Sequence, residues 1–111
     1  MAVTVKVLVP AKIVEAVQTT QYTSTGATTI IDKFTATNYS AVPATISVNL
    51  VTTTYSAGNS NLITKTKTLA AGEVYTFPEL VGQVLGIGDF ISTIAGTATS
   101  INMRVSGREV T

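Results

Sequence analysis

The chain has no cysteine, no histidine and no tryptophan. Without cysteine there is no disulfide and no thiolate chemistry, and the redox compartment is left open. Without histidine or cysteine, catalysis by a Ser–His or Cys–His pair is excluded, and zinc and haem lose their usual ligands. Charge is also scarce. Only 12% of residues are charged and the formal net charge is +1, which offers no bulk attraction to nucleic acid or to an anionic membrane. No run approaches the roughly 20 apolar residues that a membrane helix needs.

What remains for chemistry is thin. Ser and Thr are plentiful, but only lysines and carboxylates are present to activate them, so they read as strand-face hydroxyls. The six carboxylates are Glu15, Asp32, Glu73, Glu79, Asp89 and Glu109. None sits in a recognisable motif, and no two lie as close in sequence as a calcium loop requires. A glycosidase pair would find little room for a sugar cleft in a chain this short. Gly86-Ile-Gly88 resembles a fragment of a phosphate loop, but no Lys follows it, and a plain turn is the expectation. No enzyme, cofactor or metal is therefore expected.

The residues that are present alternate. Ala44–Thr52 places Ile46, Val48 and Leu50 on one side and Thr45, Ser47 and Asn49 on the other. This period of two marks a strand with one buried and one wet face. Thr28–Asn38 and Ser100–Val105 repeat it. In Thr28–Asn38 the alternation puts Ile30, Phe34 and Ala36 on one face and Ile31, Lys33 and Thr35 on the other. Asp32 then falls on the apolar side, either paired with backbone N–H groups or an arginine, or functional. Further strands are read at Leu62–Leu69, with Lys65 and Lys67 on one face, at Glu73–Phe77 and at Phe90–Ala95. Ile13–Thr23 is read as extended chain on its β-branched content. The first two long strands, joined across Asn38–Pro43, look like a hairpin. Pro78–Leu85 suits one or two helical turns, and Ser106-Gly107 is expected to break or bulge the chain.

Short strands at even spacing predict one all-β domain over residues 1–111, a two-sheet antiparallel β-sandwich, with about eight strands as in a jelly roll. A chain of 111 residues hides roughly 60–70% of its unfolded surface. A mean hydropathy of +0.40 is high for a free monomer and points to a protein–protein contact, with a homo-oligomer, dimer or trimer, expected.

Two features are candidate contacts. The N-terminal segment alternates Val3, Val5, Val7 and Val9 with Thr4, Lys6 and Leu8, and Pro10 ends it. Lys6 interrupts it and no basic region precedes it, so it is not read as a signal peptide. It is either the first strand of the sandwich or an arm that adds to a neighbouring subunit's sheet. The second feature is a set of basic residues, Lys65, Lys67, Arg104 and Arg108, read as solvated strand faces or as a stripe that meets acidic groups of a partner. The aromatic residues do not interleave with them, as single-strand nucleic-acid binding would require.

Two stretches carry a resemblance. One is Thr29-Ile-Ile-Asp-Lys-Phe-Thr-Ala-Thr-Asn-Tyr-Ser40. The other is Glu73-Val-Tyr-Thr-Phe-Pro-Glu-Leu-Val-Gly-Gln-Val-Leu, followed by Gly88–Ala95 and Ser106–Thr111. Together they resemble small virion proteins of tailed bacteriophages, of the capsid decoration or cement type. The resemblance covers most of the chain from about Tyr22 onward and rests on patterned turns and strands. It implies a jelly-roll-like subunit on the capsid surface that binds the major capsid protein, with no catalytic residue. The competing expectations are a receptor- or carbohydrate-binding module of a head or tail fibre, against which the lack of tryptophan counts, and a head–tail joining component.

Overall fold

A computed structural model of the chain describes residues 2–111; Met1, the first residue of the predicted arm, lies outside them. Nine strands follow one another: β1 (Val3–Ile13), β2 (Thr19–Thr23), β3 (Thr28–Asn38), β4 (Ala44–Val51), β5 (Leu62–Leu69), β6 (Val74–Tyr75), β7 (Val84–Leu85), β8 (Phe90–Ala95) and β9 (Ile101–Val110). They form two sheets. Sheet 1 has the order β1-β9-β3-β6, with β7 also on β3, and sheet 2 has the order β2-β8-β4-β5. Every pairing is antiparallel.

The strand pairs reveal how the chain is wound. β1 pairs with β9, β2 with β8, β3 with β6 and β7, and β4 with β5. This is one long ribbon doubled back at the loop between β4 and β5. Rolling the ribbon brings β9 against β3 and β8 against β4, and deals successive pairs alternately to the two sheets. That winding is a jelly roll, with β6 and β7 as two short pieces of one strand position. The two-sheet antiparallel sandwich expected from the alternation is the observed fold.

The predicted hairpin between β3 and β4 does not form, because the two strands belong to opposite sheets. The connection is an arch held by Asn38. Its buried amide donates to the carbonyls of Val42 (2.8 Å) and Leu69 (3.0 Å) and accepts from the backbone N–H of Ser40 (2.9 Å). β8 and β9 are likewise joined by an arch. Only β4 and β5 make a hairpin, and Asn49 pins its long loop by donating to the Gly58 carbonyl and the Asn61 side chain.

Bulges correct the predicted faces. In β3 the register shifts between Ile31 and Lys33, opposite Gly107 and Ser106 of β9. The extra residue turns Ile31 inward, leaves Asp32 and Lys33 both exposed, and returns Phe34 to the core. Asp32 is thus a surface residue, and Ile31 replaces Ile30 in the interior. In β1 a shift between Val7 and Val9 buries both Leu8 and Val9. Pro10 does not end this strand, which runs on to Ile13 through a second irregularity. An edge strand tolerates proline because one row of its N–H groups has no ladder partner. In β5 a bulge at Thr66, with φ of 43°, puts Lys65 and Lys67 on opposite faces.

The sandwich interior is built from Phe34, Phe77, Ile31, Ile46, Leu69, Leu80, Ile91, Ile101 and Met103, all fully buried. Phe77 sits between Phe34 and Tyr75, with ring centroids 4.5 and 4.6 Å apart. The segment after Phe77 makes one turn, with the N–H groups of Leu80 and Val81 both donating to the Phe77 carbonyl, then extends as β7. The expected helix is no longer than that turn. β9 runs unbroken through Ser106 and Gly107. Gly107 is required there, since a Cβ would lie 2.2 Å from the Ile30 carbonyl oxygen.

Candidate interaction surface

Directly paired residues in neighbouring strands point to the same face of a sheet. In sheet 1 the row Val5–Arg108–Ile30–Val84 crosses β1, β9, β3 and β7, and the row Val3–Val110–Thr28 lies beside it. The other face of the same strands carries buried Thr29 and Leu85, so these rows face away from the sandwich. Val5 is 81% exposed, Val84 56%, Val3 55% and Val7 40%. Sheet 1 therefore presents an apolar outer face where an antiparallel sheet normally alternates to polar residues. Large exposed apolar patches mark contact sites.

Set into this face is one ion pair. The Arg108 guanidinium donates from Nε to both Asp32 oxygens (3.0 and 3.2 Å) and from Nη2 to Oδ1 (3.0 Å). The pair holds the Arg108 guanidinium pKa above its ordinary value, through the hydrogen bonds first and the charge second. A planar fork of this kind fixes the orientation of the Arg108 side chain.

The predicted contact residues fall into separate groups. Val3, Val5 and Val7 lie together on the outer face of sheet 1, while Val9 is buried. Arg108 joins them, and Arg104 is exposed on the same side of β9, opposite Thr35. Lys65 and Lys67 lie on β5, the far edge of sheet 2, and are not part of this surface. Lys67 stands 4.7 Å over the Tyr75 ring. Lys65 borders a shallow depression of about 230 Å³ with Gln18, Ser47 and Asn49. Two amides of that depression are already engaged: Gln18 Nε2 donates to Ser92 Oγ (2.8 Å) and to Asn49 Oδ1 (3.3 Å).

Two carboxylates missed as a pair in the sequence tie the sheets together at opposite edges. Glu109 on β9 accepts from the Tyr22 hydroxyl on β2 (2.5 Å) and from Lys6 Nζ (3.2 Å). The Tyr22 hydrogen bond, outweighing partial burial and assisted by Lys6, holds the Glu109 carboxyl below its ordinary value. Glu79 accepts from Thr64 Oγ1 on β5 (2.5 Å) and from the Tyr75 hydroxyl on β6 (2.7 Å). Burial pushes the Glu79 carboxyl up, but the Thr64, backbone and Tyr75 hydrogen bonds prevail and hold it low. The Tyr22–Glu109 and Thr64–Glu79 bonds leave no signal in the sequence, because their partners lie 87 and 15 residues apart.

Gly86–Gly88 is a turn, as expected, in which Asp89 accepts from the Gly86 N–H (2.8 Å) and the Thr53 N–H (2.9 Å). Among the described residues no group of three or more Asp, Glu, His or Cys side chains is placed to hold a metal ion, and no helix is long and apolar enough to cross a membrane. No family model matches the chain, and no curated protein or solved structure matches it.

Proposed function

We propose that this chain is a non-enzymatic structural subunit of a tailed-phage virion, a decoration or cement protein that binds the major capsid protein on the assembled shell. The observation that carries the reading is the exposed apolar outer face of sheet 1, a contact surface spread over four strands. The resemblance of Thr29–Ser40 and of the segments after Glu73 to small capsid-associated proteins supports the same assignment. The valines supply the apolar contact, and Arg104 and the Arg108–Asp32 pair lie beside them, where charge tunes approach and register more than affinity.

A cement protein binds the assembled state and stabilises it by mass action. Shell rupture temperature is the measurement, with wild-type protein, with Val84→Lys, and with no protein added. Wild type raises the rupture temperature. Val84→Lys, which charges the apolar face without touching the core, abolishes most of that gain. Equal rupture temperatures with and without wild-type protein overturn the reading. Shells that bind the protein but gain no stability assign it instead to the fibre or receptor-binding class.

A further inference from the structure

The sandwich has four outermost strand positions, and three of them are protected against pairing with other chains. β2 is only five residues long, β6 and β7 have two residues each, and β5 is interrupted by the bulge at Thr66. Short strands, bulges, prolines and charges are the usual protections of a sheet edge. β1 has them only in its second half, where Pro10 and two irregularities fall between Val7 and Lys12. Its first half is regular and uncovered.

The direction of its free backbone groups follows from one hydrogen-bonded pair. Ala2 and Thr111 exchange two bonds, N–H to carbonyl in each direction (3.0 and 2.9 Å). Ala2 therefore faces β9, and in a regular antiparallel strand so do Thr4 and Lys6. Val3, Val5 and Val7 point their N–H and carbonyl groups away from β9, to the open edge. The only charge in this stretch, Lys6, is engaged by Glu109 of its own chain.

We propose that two copies of this protein join edge to edge through β1, antiparallel about a two-fold axis at Val5. Val5 of one copy pairs with Val5 of the other, and Val3 pairs with Val7 at each end. Every free N–H and carbonyl of the three valines is then satisfied. On the outer face the valines of both copies form one ladder of β-branched cross-strand pairs. On the inner face Thr4 stands opposite Lys6, so no like charges meet.

The neighbouring registers are poorer for stated reasons. A slip that sets Val5 against Val7 brings Lys6 against Lys6. A slip that sets Val3 against Val5 places Thr4 against Thr4 and takes Val7 beyond the regular stretch. A formal net charge of +1 adds little repulsion between copies. The two-fold also places both apolar outer faces on the same side of one continuous sheet. The inference deepens the self-association expected of a cement subunit by naming its surface and register, and it is tested without capsids, so that its failure and that of the capsid reading are separable.

The experiment is sedimentation of the full chain from about ten to several hundred micromolar, a range suited to an interface below standard size, with amide hydrogen exchange on the same samples. Wild type is a reversible dimer. The N–H groups of Val3, Val5 and Val7 gain protection as concentration rises, while those of Thr4 and Lys6 are protected throughout. Val5→Pro removes an N–H that the β1–β9 ladder does not use, so it stays folded and sediments as a monomer. Thr4→Glu reads the register. It adds a carboxylate opposite Glu109 of its own chain, a cost common to monomer and dimer, but it faces Lys6 of the other copy in the proposed pairing and tightens the dimer by about 2- to 30-fold over its two symmetric contacts. In the register with Thr4 opposite Thr4 it weakens the dimer instead. A wild-type monomer at every concentration, a dimer that survives Val5→Pro, or weakening by Thr4→Glu overturns the proposal.

Discussion

Replacing Phe34 by alanine tests the packing at the centre of the sandwich. Phe34 is fully buried, and its ring lies 4.5 Å from that of Phe77, which in turn packs on Tyr75. The bulge at Asp32 is what returns Phe34 to the interior, so its burial also checks the register of β3 on β9. Truncation removes the transfer free energy of the ring and leaves a cavity whose walls are strands hydrogen-bonded on both sides, with little freedom to collapse. The expected loss is about 3–5 kcal/mol, of which the ring pair contributes roughly 0.5–1.5 kcal/mol. Single domains of this size carry about 5–15 kcal/mol in all, so the variant folds but is much weakened. In urea titration, with a slope near 1.5 kcal/mol/M, the midpoint falls by about 2–3 M. Phe34→Leu, which keeps more of the volume, loses less. A loss below about 1 kcal/mol for Phe34→Ala, at unchanged slope, would refute both the burial and the register argument.

Gly107→Ala forces a methyl against the Ile30 carbonyl at 2.2 Å and Leu8 Cδ1 at 2.8 Å and costs at least about 1–3 kcal/mol, while Gly58→Ala, which meets nothing within 4 Å, stays within about 0.5 kcal/mol of wild type; equal urea midpoints for the two would contradict the close approach. Glu15, Glu79 and Glu109 are all held below their ordinary value of 4.5, Glu15 chiefly by its hydrogen bond from Lys12. Their contribution to stability is present above that pH and is lost as pH falls below it. Burial, then the Glu109 carboxylate, raises Tyr22 above its ordinary 10.0, and the hydrogen bond to Glu79 raises Tyr75 likewise. Their contribution is present below pH 10 and is lost as pH rises beyond it. Urea stability measured against pH thus forms a plateau that falls at both ends, and Tyr22→Phe makes the acid fall shallower; an unchanged acid limb in that variant would show that the Tyr22–Glu109 bond does not hold the carboxyl low.

Period two in Ala44–Val51 and in much of β3 and β9 was enough to establish strands, because alternation is a local consequence of the pleat. Short strands at even spacing then required two antiparallel sheets, and the absence of histidine and cysteine set the expected chemistry. The same residues also announced that Val3, Val5 and Val7 form an extended, apolar segment. Tertiary structure alone decided which strands pair. β3 and β4 looked like a hairpin because they are adjacent in sequence, but Asn38 arches the chain to the other sheet, and no local pattern distinguishes an arch from a turn. The bulges were equally invisible. One extra residue in β1, β3 or β5 reverses the faces beyond it, and its position depends on the opposing strand, as Gly107 shows for Asp32. This is why Asp32 and Lys67 fall on other faces than alternation placed them, and why Val9 is in the core while Val7 is in solvent. The apolar outer face of sheet 1 has the same origin. Val5, Ile30, Val84 and Val110 come from four strands far apart in sequence, and only the rolled ribbon sets them in neighbouring rows on one face.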